Sequence, residues 1–191
     1  MSSTDDAGTA RSDTADREVA ISRLIHARRE LVFRAFSDVR HLAQWWGPDG
    51  FTTTTRSFDF RVGGVWDFVM HGPDGTDYPE WITWTEIDPP ARIVLLHGEY
   101  RDDPSSFTSV LTFTPQLGRG GGDVDDAAGR TGADAEGADT EHGDVEHTLI
   151  EMRTVFPTTA LRDEAVESHG AIEGGRQTLG NLAVYVEQRL R

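Results

Sequence analysis

Trp45-Trp46-Gly47-Pro48, Arg61-Val62-Gly63-Gly64-Val65-Trp66 and Met70-His71-Gly72-Pro73-Asp74-Gly75 carry the reading of this chain. The tryptophan pair ending in Gly-Pro closes an amphipathic segment, because proline cannot continue a helix. Gly63-Gly64 and Pro73-Asp74-Gly75 are tight-turn chemistry. The stretches between them place bulky aromatics at alternate positions, the period of a strand with one buried face. Together they predict a curved antiparallel sheet with an aromatic interior.

The flanking sequence extends the pattern. Val19–His26 alternates as a strand, Arg29–Ser37 has helical spacing, and Asp38 is placed to cap a second short helix over Arg40–Trp46. Strands are predicted over 52–62, 65–71, 78–87, 92–99, 106–114 and 147–156. Short Gly, Pro and Asp turns link most of them, so neighbours pair antiparallel. After Pro157, with Thr158 or Thr159 as cap, the period becomes helical. A short helix to about Ser168 and a longer one to about Arg189 are expected. The apolar stripe through Leu161, Ala165, His169, Ile172, Arg176, Leu179, Ala183, Val186 and Leu190 needs a partner, and the concave sheet face supplies one.

Composition bounds the rest. The chain has 191 residues, enough for one domain with a self-sufficient core. It has no cysteine, which excludes disulfides and thiolate chemistry. Residues 1–17 and 117–146 are rich in Gly, Ala, Ser, Thr and Asp and read as a disordered tail and a disordered acidic insertion around the 18–191 domain. The first residues resemble neither a secretory signal nor an anchor, so a cytoplasmic location is expected. The net charge of -15 is uneven: residues 1–18 carry -3 and 117–147 carry -7, leaving -5 for the remainder. That excludes nucleic acid and anionic membrane as natural partners. All 18 basic residues are arginine, which fits either a halophilic surface or GC-rich codon usage.

Ala27-Arg28-Arg29-Glu30-Leu31-Val32-Phe33, Leu42-Ala43-Gln44-Trp45-Trp46-Gly47-Pro48, Gly63-Gly64, the Met70–Gly75 turn and Glu86-Ile87-Asp88-Pro89-Pro90 resemble the activator of heat-shock protein 90 ATPase homologue-like family. That family lies within the START-like (SRPBCC) helix-grip superfamily. The resemblance runs from Glu18 to Arg189 apart from the insertion. It implies an α+β helix-grip fold, a curved sheet of about seven strands wrapped around a long C-terminal helix, with two short helices after the first strand. It also implies a cavity between sheet and helix. Arg28 stands where the family commonly has proline, and Gly174-Gly175 lie where it often has Gly-Trp. The separate N-terminal domain of the eukaryotic co-chaperones has no counterpart here, so the resemblance supports fold and cavity above an ATPase-stimulating role.

Strand parity puts Trp66, Phe68 and Met70 on one face, with Tyr78, Glu80, Ile82 and Trp84 on one face of the next strand. These residues either line a ligand pocket or form ordinary core. Trp45 and Trp46, about 100° apart on a helix, divide between bracing the sheet and standing at the cavity mouth. Glu80 and Arg176 are expected to form a polar handle, and His97 to face the same space. The predicted ligand-binding set is therefore Trp46, Trp66, Phe68, Met70, Tyr78, Glu80, Trp84, His97 and Arg176, with no catalytic residue. None of the seven histidines has metal-pair spacing, and no nucleophile elbow, phosphate loop or dinucleotide fingerprint occurs, so neither metal nor cofactor is expected. The expected function is non-catalytic binding of a small apolar or amphipathic molecule, by a monomer or homodimer. The alternatives are a chaperone-ATPase accessory protein, with a chaperone partner, and a cyclase- or hydratase-type enzyme using the same cavity.

Overall fold

The structure, a computed structural model, describes residues 13–118 and 145–190. Strand β1 (Glu18–Ile25) leads into helices α1 (Arg29–Arg34) and α2 (Val39–Leu42). Strands β2 (Thr52–Phe58), β3 (Val65–His71), β4 (Asp77–Asp88), β5 (Arg92–Gly98), β6 (Phe107–Gly118) and β7 (Val145–Val155) follow. Helices α3 (Thr159–Glu167) and α4 (Ala171–Arg189) end the chain. The strands form one antiparallel sheet in the order β1-β7-β6-β5-β4-β3-β2. The predicted helix-grip architecture is thus present.

Several boundaries differ from expectation. Strand β2 stops at Phe58; Asp59 N–H still donates in register to Val65 O, and the chain then turns, with Arg61 N–H donating back to Asp59 O. Helix α2 ends at Leu42, so Trp45 and Trp46 occupy the turn beyond it rather than the helix itself. Strands β6 and β7 pair as far as Gly118 and Val145, carrying the hairpin into both ends of the expected insertion; residues 119–144 lie outside the described residues. Of the expected 1–17 tail, residues 1–12 also lie outside them. Ala15–Arg17 form one 3₁₀ turn held against α3, with Thr159 Oγ1 donating to Asp16 Oδ2 at 2.8 Å and Arg162 Nη2 donating to Asp16 O at 2.8 Å.

Caps behave as the sequence suggests. Thr158 Oγ1 accepts from Leu161 N–H at 3.2 Å and starts α3. Asp38 Oδ1 accepts from Arg40 N–H at 2.8 Å and starts α2. Its hydrogen bonds with the Arg40 side chain and backbone hold the Asp38 carboxyl down at about 2. A depressed carboxyl contributes stability above the unfolded pKa and loses it as pH falls through the folded one. Asp38→Ala is expected to cost about 0.5–1 kcal/mol at neutral pH, the low end of cap values because the pair is partly exposed. That penalty should shrink as pH drops from about 5 towards 3, as measured by urea unfolding of both proteins. A pH-independent penalty would refute the capping account.

Gly170, at φ +62, ends the α3 phase and restarts the helix as α4. The break falls between the two helices as expected, and it takes His169 and the α3 positions off the buried stripe. His169 is exposed in the break, no α3 residue is buried, and α4 buries Leu179, Leu182, Ala183, Tyr185 and Val186. Helix α4 lies against β1 so closely that a Cβ on Gly175 would sit 2.5 Å from Ile21 Cδ1. The core beneath is aromatic: Trp66, Trp84, Phe36 and Phe68 are all fully buried. No helix among the described residues is long and apolar enough to cross a membrane.

Candidate functional site

Cross-strand register builds the site. On the concave face Phe68 stands opposite Glu80, Ile82 opposite His97, and His97 opposite Phe107. Glu80 and His97 are therefore diagonal neighbours on adjacent strands, within reach of long side chains. His97 Nε2 lies 2.7 Å from Glu80 Oε2, and their side chains are only 14% and 16% exposed. A carboxylate can only accept, so Nε2 carries the hydrogen, and in the neutral imidazole Nδ1 is left as an acceptor. Aromatic rings surround the imidazole: Phe107 at 4.8 Å, Trp46 at 6.4 Å and Phe68 at 6.4 Å between centroids. The arrangement offers one oriented acceptor nitrogen amid apolar walls.

The loop after α2 supplies one of those walls. Trp45 is buried, packs edge-on against Phe36 at 4.8 Å and donates from Nε1 to Ala35 O at 3.2 Å. Trp46 is half-buried and meets Trp66 edge-on at 5.2 Å. Gly47, at φ +113, lets the chain turn sharply between them and Pro48. Helix α4 clamps this loop: Asn181 Nδ2 donates to Gly47 O at 3.1 Å, and Asp49 N–H donates to Gln177 Oε1 at 3.1 Å. Thus Trp45 braces the core while Trp46 covers the His97–Glu80 pair.

The other predicted residues fall into separate environments. Trp66 and Phe68 stack at 3.8 Å inside the core, and Trp84 packs among Phe58 and Phe60. Met70 is half-buried below Gly47. Tyr78 is 40% exposed, its ring 5.9 Å from Phe51. The expected Glu80–Arg176 handle is corrected: the Arg176 side chain is 66% exposed and its nearest carboxylate is Glu173, at 3.9 Å. Glycines at 174 and 175 let α4 sit low over β1, and Arg176 then points to water, where a long charged side chain is cheapest.

Sequence reading missed Phe107 and the buried Ser109–Thr154 hydroxyl pair, at 2.8 Å. Phe107 and Ser109 share one parity within the predicted 106–114 strand, which is the signal that could have found them. His26 and His147 stack edge-on at 4.6 Å, but no three ligating side chains converge among the described residues. Two clefts open elsewhere, one of about 370 Å³ beside Trp46, Phe51 and Asn181 and one of about 270 Å³ on the convex face at Trp81, Leu96 and Arg101. Neither is lined by His97 or Glu80.

The family model described as activator of Hsp90 ATPase homolog 1-like protein matches residues 26–149. Among solved structures, a Nitrosomonas europaea protein is similar with a TM-score of 0.68 and 20% identity, covering 91% of this chain and 96% of its own. An Arthrobacter aurescens protein gives 0.69 and 19%, covering 93% and 90%. The AHSA1 protein of Silicibacter pomeroyi gives 0.59 and 20%, covering 89% and 97%. At such identities these likenesses establish the fold alone. Among curated proteins, none matches the sequence significantly.

Proposed function

This chain belongs to the activator of Hsp90 ATPase homolog 1-like family, and from that premise we propose that it binds a small amphipathic molecule, without catalysis, on the concave face beside His97. The observation that carries the reading is the His97–Glu80 pair, 2.7 Å apart and nearly buried among aromatic rings. A buried polar pair of this kind is costly unless it is satisfied, and Nδ1 is an acceptor that a ligand hydroxyl can satisfy. Trp46, half-buried on the loop after α2, forms the outer wall of this position. Apolar burial against Trp46, Phe68 and Phe107 contributes most of the affinity, at roughly 25 cal/mol per Å². The hydrogen bond to His97 contributes orientation.

The test compares 2-naphthol with naphthalene, read by tryptophan fluorescence and native mass spectrometry. The hydroxylated probe should bind more tightly, and His97→Ala should weaken it about tenfold while leaving naphthalene unchanged. Trp46→Phe should remove most of the fluorescence response. Failure of both probes to bind, or equal loss of both in His97→Ala, would overturn the reading.

A second reading, a chaperone accessory role, draws on the family's name and on the convex face, where Leu96 and Tyr100 are exposed and Arg101 lies 5.0 Å over the Trp81 ring. It predicts that Tyr100→Glu abolishes capture of a chaperone ATPase while 2-naphthol binding is retained.

A further inference from the structure

On the convex face, opposite His97, three side chains form a relay. Asp77 Oδ1 lies 2.6 Å from His71 Nδ1, and His71 Nε2 lies 2.8 Å from Thr54 Oγ1. Register explains the meeting: His71 stands between Thr52 on β2 and Asp77 on β4, and Thr54 lies two residues beyond Thr52 on the same face. The turn that delivers Asp77 is held by Gly72 N–H donating to Thr76 O at 2.8 Å and Thr76 N–H donating to Asp74 Oδ1 at 3.0 Å. Because the aspartate carboxylate accepts only, Nδ1 is the protonated nitrogen and Nε2 is the base that receives the Thr54 hydroxyl proton. Hydroxyl, imidazole and carboxylate in this order form the nucleophile, base and orienter of acyl-transfer chemistry.

We propose that Thr54 is an acyl-accepting nucleophile, activated by His71 and oriented through Asp77, for activated acyl donors such as aryl esters and thioesters. Thr54 Oγ forms a bond to the acyl carbon while its proton passes to His71 Nε2. The carbonyl–leaving-group bond breaks, the leaving group departs with its electron pair, and His71 gives up its proton to the leaving group or, for a stable phenolate, to water. Water then attacks the Thr54 ester, His71 accepts the water proton and returns it to Thr54 Oγ, and the carboxylic acid is released. General-base activation alone is worth roughly 10²–10⁴-fold, so acylation is slow, is read as a single modification, and precedes still slower hydrolysis. Thr54 is exposed on the edge strand, so a donor reaches it without opening the fold. The side chains of His71 and Asp77 are 37% and 66% exposed, and their exchange is tolerated by the core.

The full chain is incubated with p-nitrophenyl acetate, followed by nitrophenolate release and peptide mapping. Acetyl is expected on Thr54, not on Ser57, an exposed hydroxyl of the same strand. Thr54→Ser should keep the reaction. His71→Gln should slow it about a hundredfold, and Asp77→Asn should slow it less, with unchanged circular dichroism in each variant. No acetyl on Thr54, equal labelling of Ser57, or wild-type acylation in His71→Gln would overturn the proposal.

Discussion

Replacing Trp66 with alanine should lower the unfolding free energy by about 3–5 kcal/mol, the range for removing a fully buried large aromatic. Trp66 has no exposed surface; it stacks on Phe68 at 3.8 Å and meets Trp46 and Phe58 edge-on at 5.2 and 6.2 Å. Its Nε1–H donates to Thr55 Oγ1 at 3.0 Å, so truncation also strands a hydroxyl. Phe58 and Phe68 cannot close the space because β2 and β3 fix their backbones. Domains of this kind hold about 5–15 kcal/mol in all, so the variant should be near the edge of folding at 37 °C. Urea unfolding decides it: a lower midpoint with the same slope is expected. A loss under about 1 kcal/mol would mean that Trp66 borders collapsible space, making it a cavity wall rather than core.

Gly64→Ala should cost about 3 kcal/mol, more than the same change at Gly63. A Cβ on Gly64 would lie 2.2 Å from Asp59 O, and backbone cannot swing aside as a side chain can. Hydrogen bonds fix both partners: Asp59 N–H donates to Val65 O at 2.8 Å, Gly64 N–H to Arg61 O at 2.7 Å, and Trp84 N–H to Gly64 O at 3.0 Å. Relieving the clash must break at least one of them. Gly63 has nothing within 4 Å of its would-be Cβ but sits at φ +78, so alanine there meets only the left-handed strain of about 1–2 kcal/mol. The order of the two penalties, measured by thermal and urea unfolding, is the discriminating result. Equal penalties would show that backbone conformation, not the contact with Asp59, sets the cost.

The sheet was legible because its signals are local. Turn glycines and alternate aromatics located β3 and β4 almost to the residue, and Asp38 and Thr158 marked two helix starts through their own side chains. The differences cluster at the ends of elements. Phe58 is followed by more strand-like sequence, yet the chain turns after Asp59, where Arg61 N–H donates back to Asp59 O. The Trp45-Trp46 pair continues a helical pattern, yet α2 ends at Leu42 and the Trp45 indole donates to Ala35 O beneath the turn that follows. His169 fits the apolar stripe by count, but one left-handed residue, Gly170, resets the phase and leaves it in water.

The candidate site divides the same way. Parity assigned Glu80 to the face of Trp84, and it could assign Phe107 and Ser109 to theirs, because side chains alternate whatever the neighbouring strands do. It could not choose Glu80's partner. The choice between His97 and Arg176 rests on the β4–β5 register, which places His97 diagonal to Glu80, and on the low seat of α4, which sends Arg176 to solvent. The relay of Thr54, His71 and Asp77 likewise spans three strands and has no signature along the chain. Local periodicity and turn chemistry specify the elements, their faces and the family they compose. Which polar groups meet is set by contacts between residues distant in sequence, because an alternating pattern carries a face and no partner.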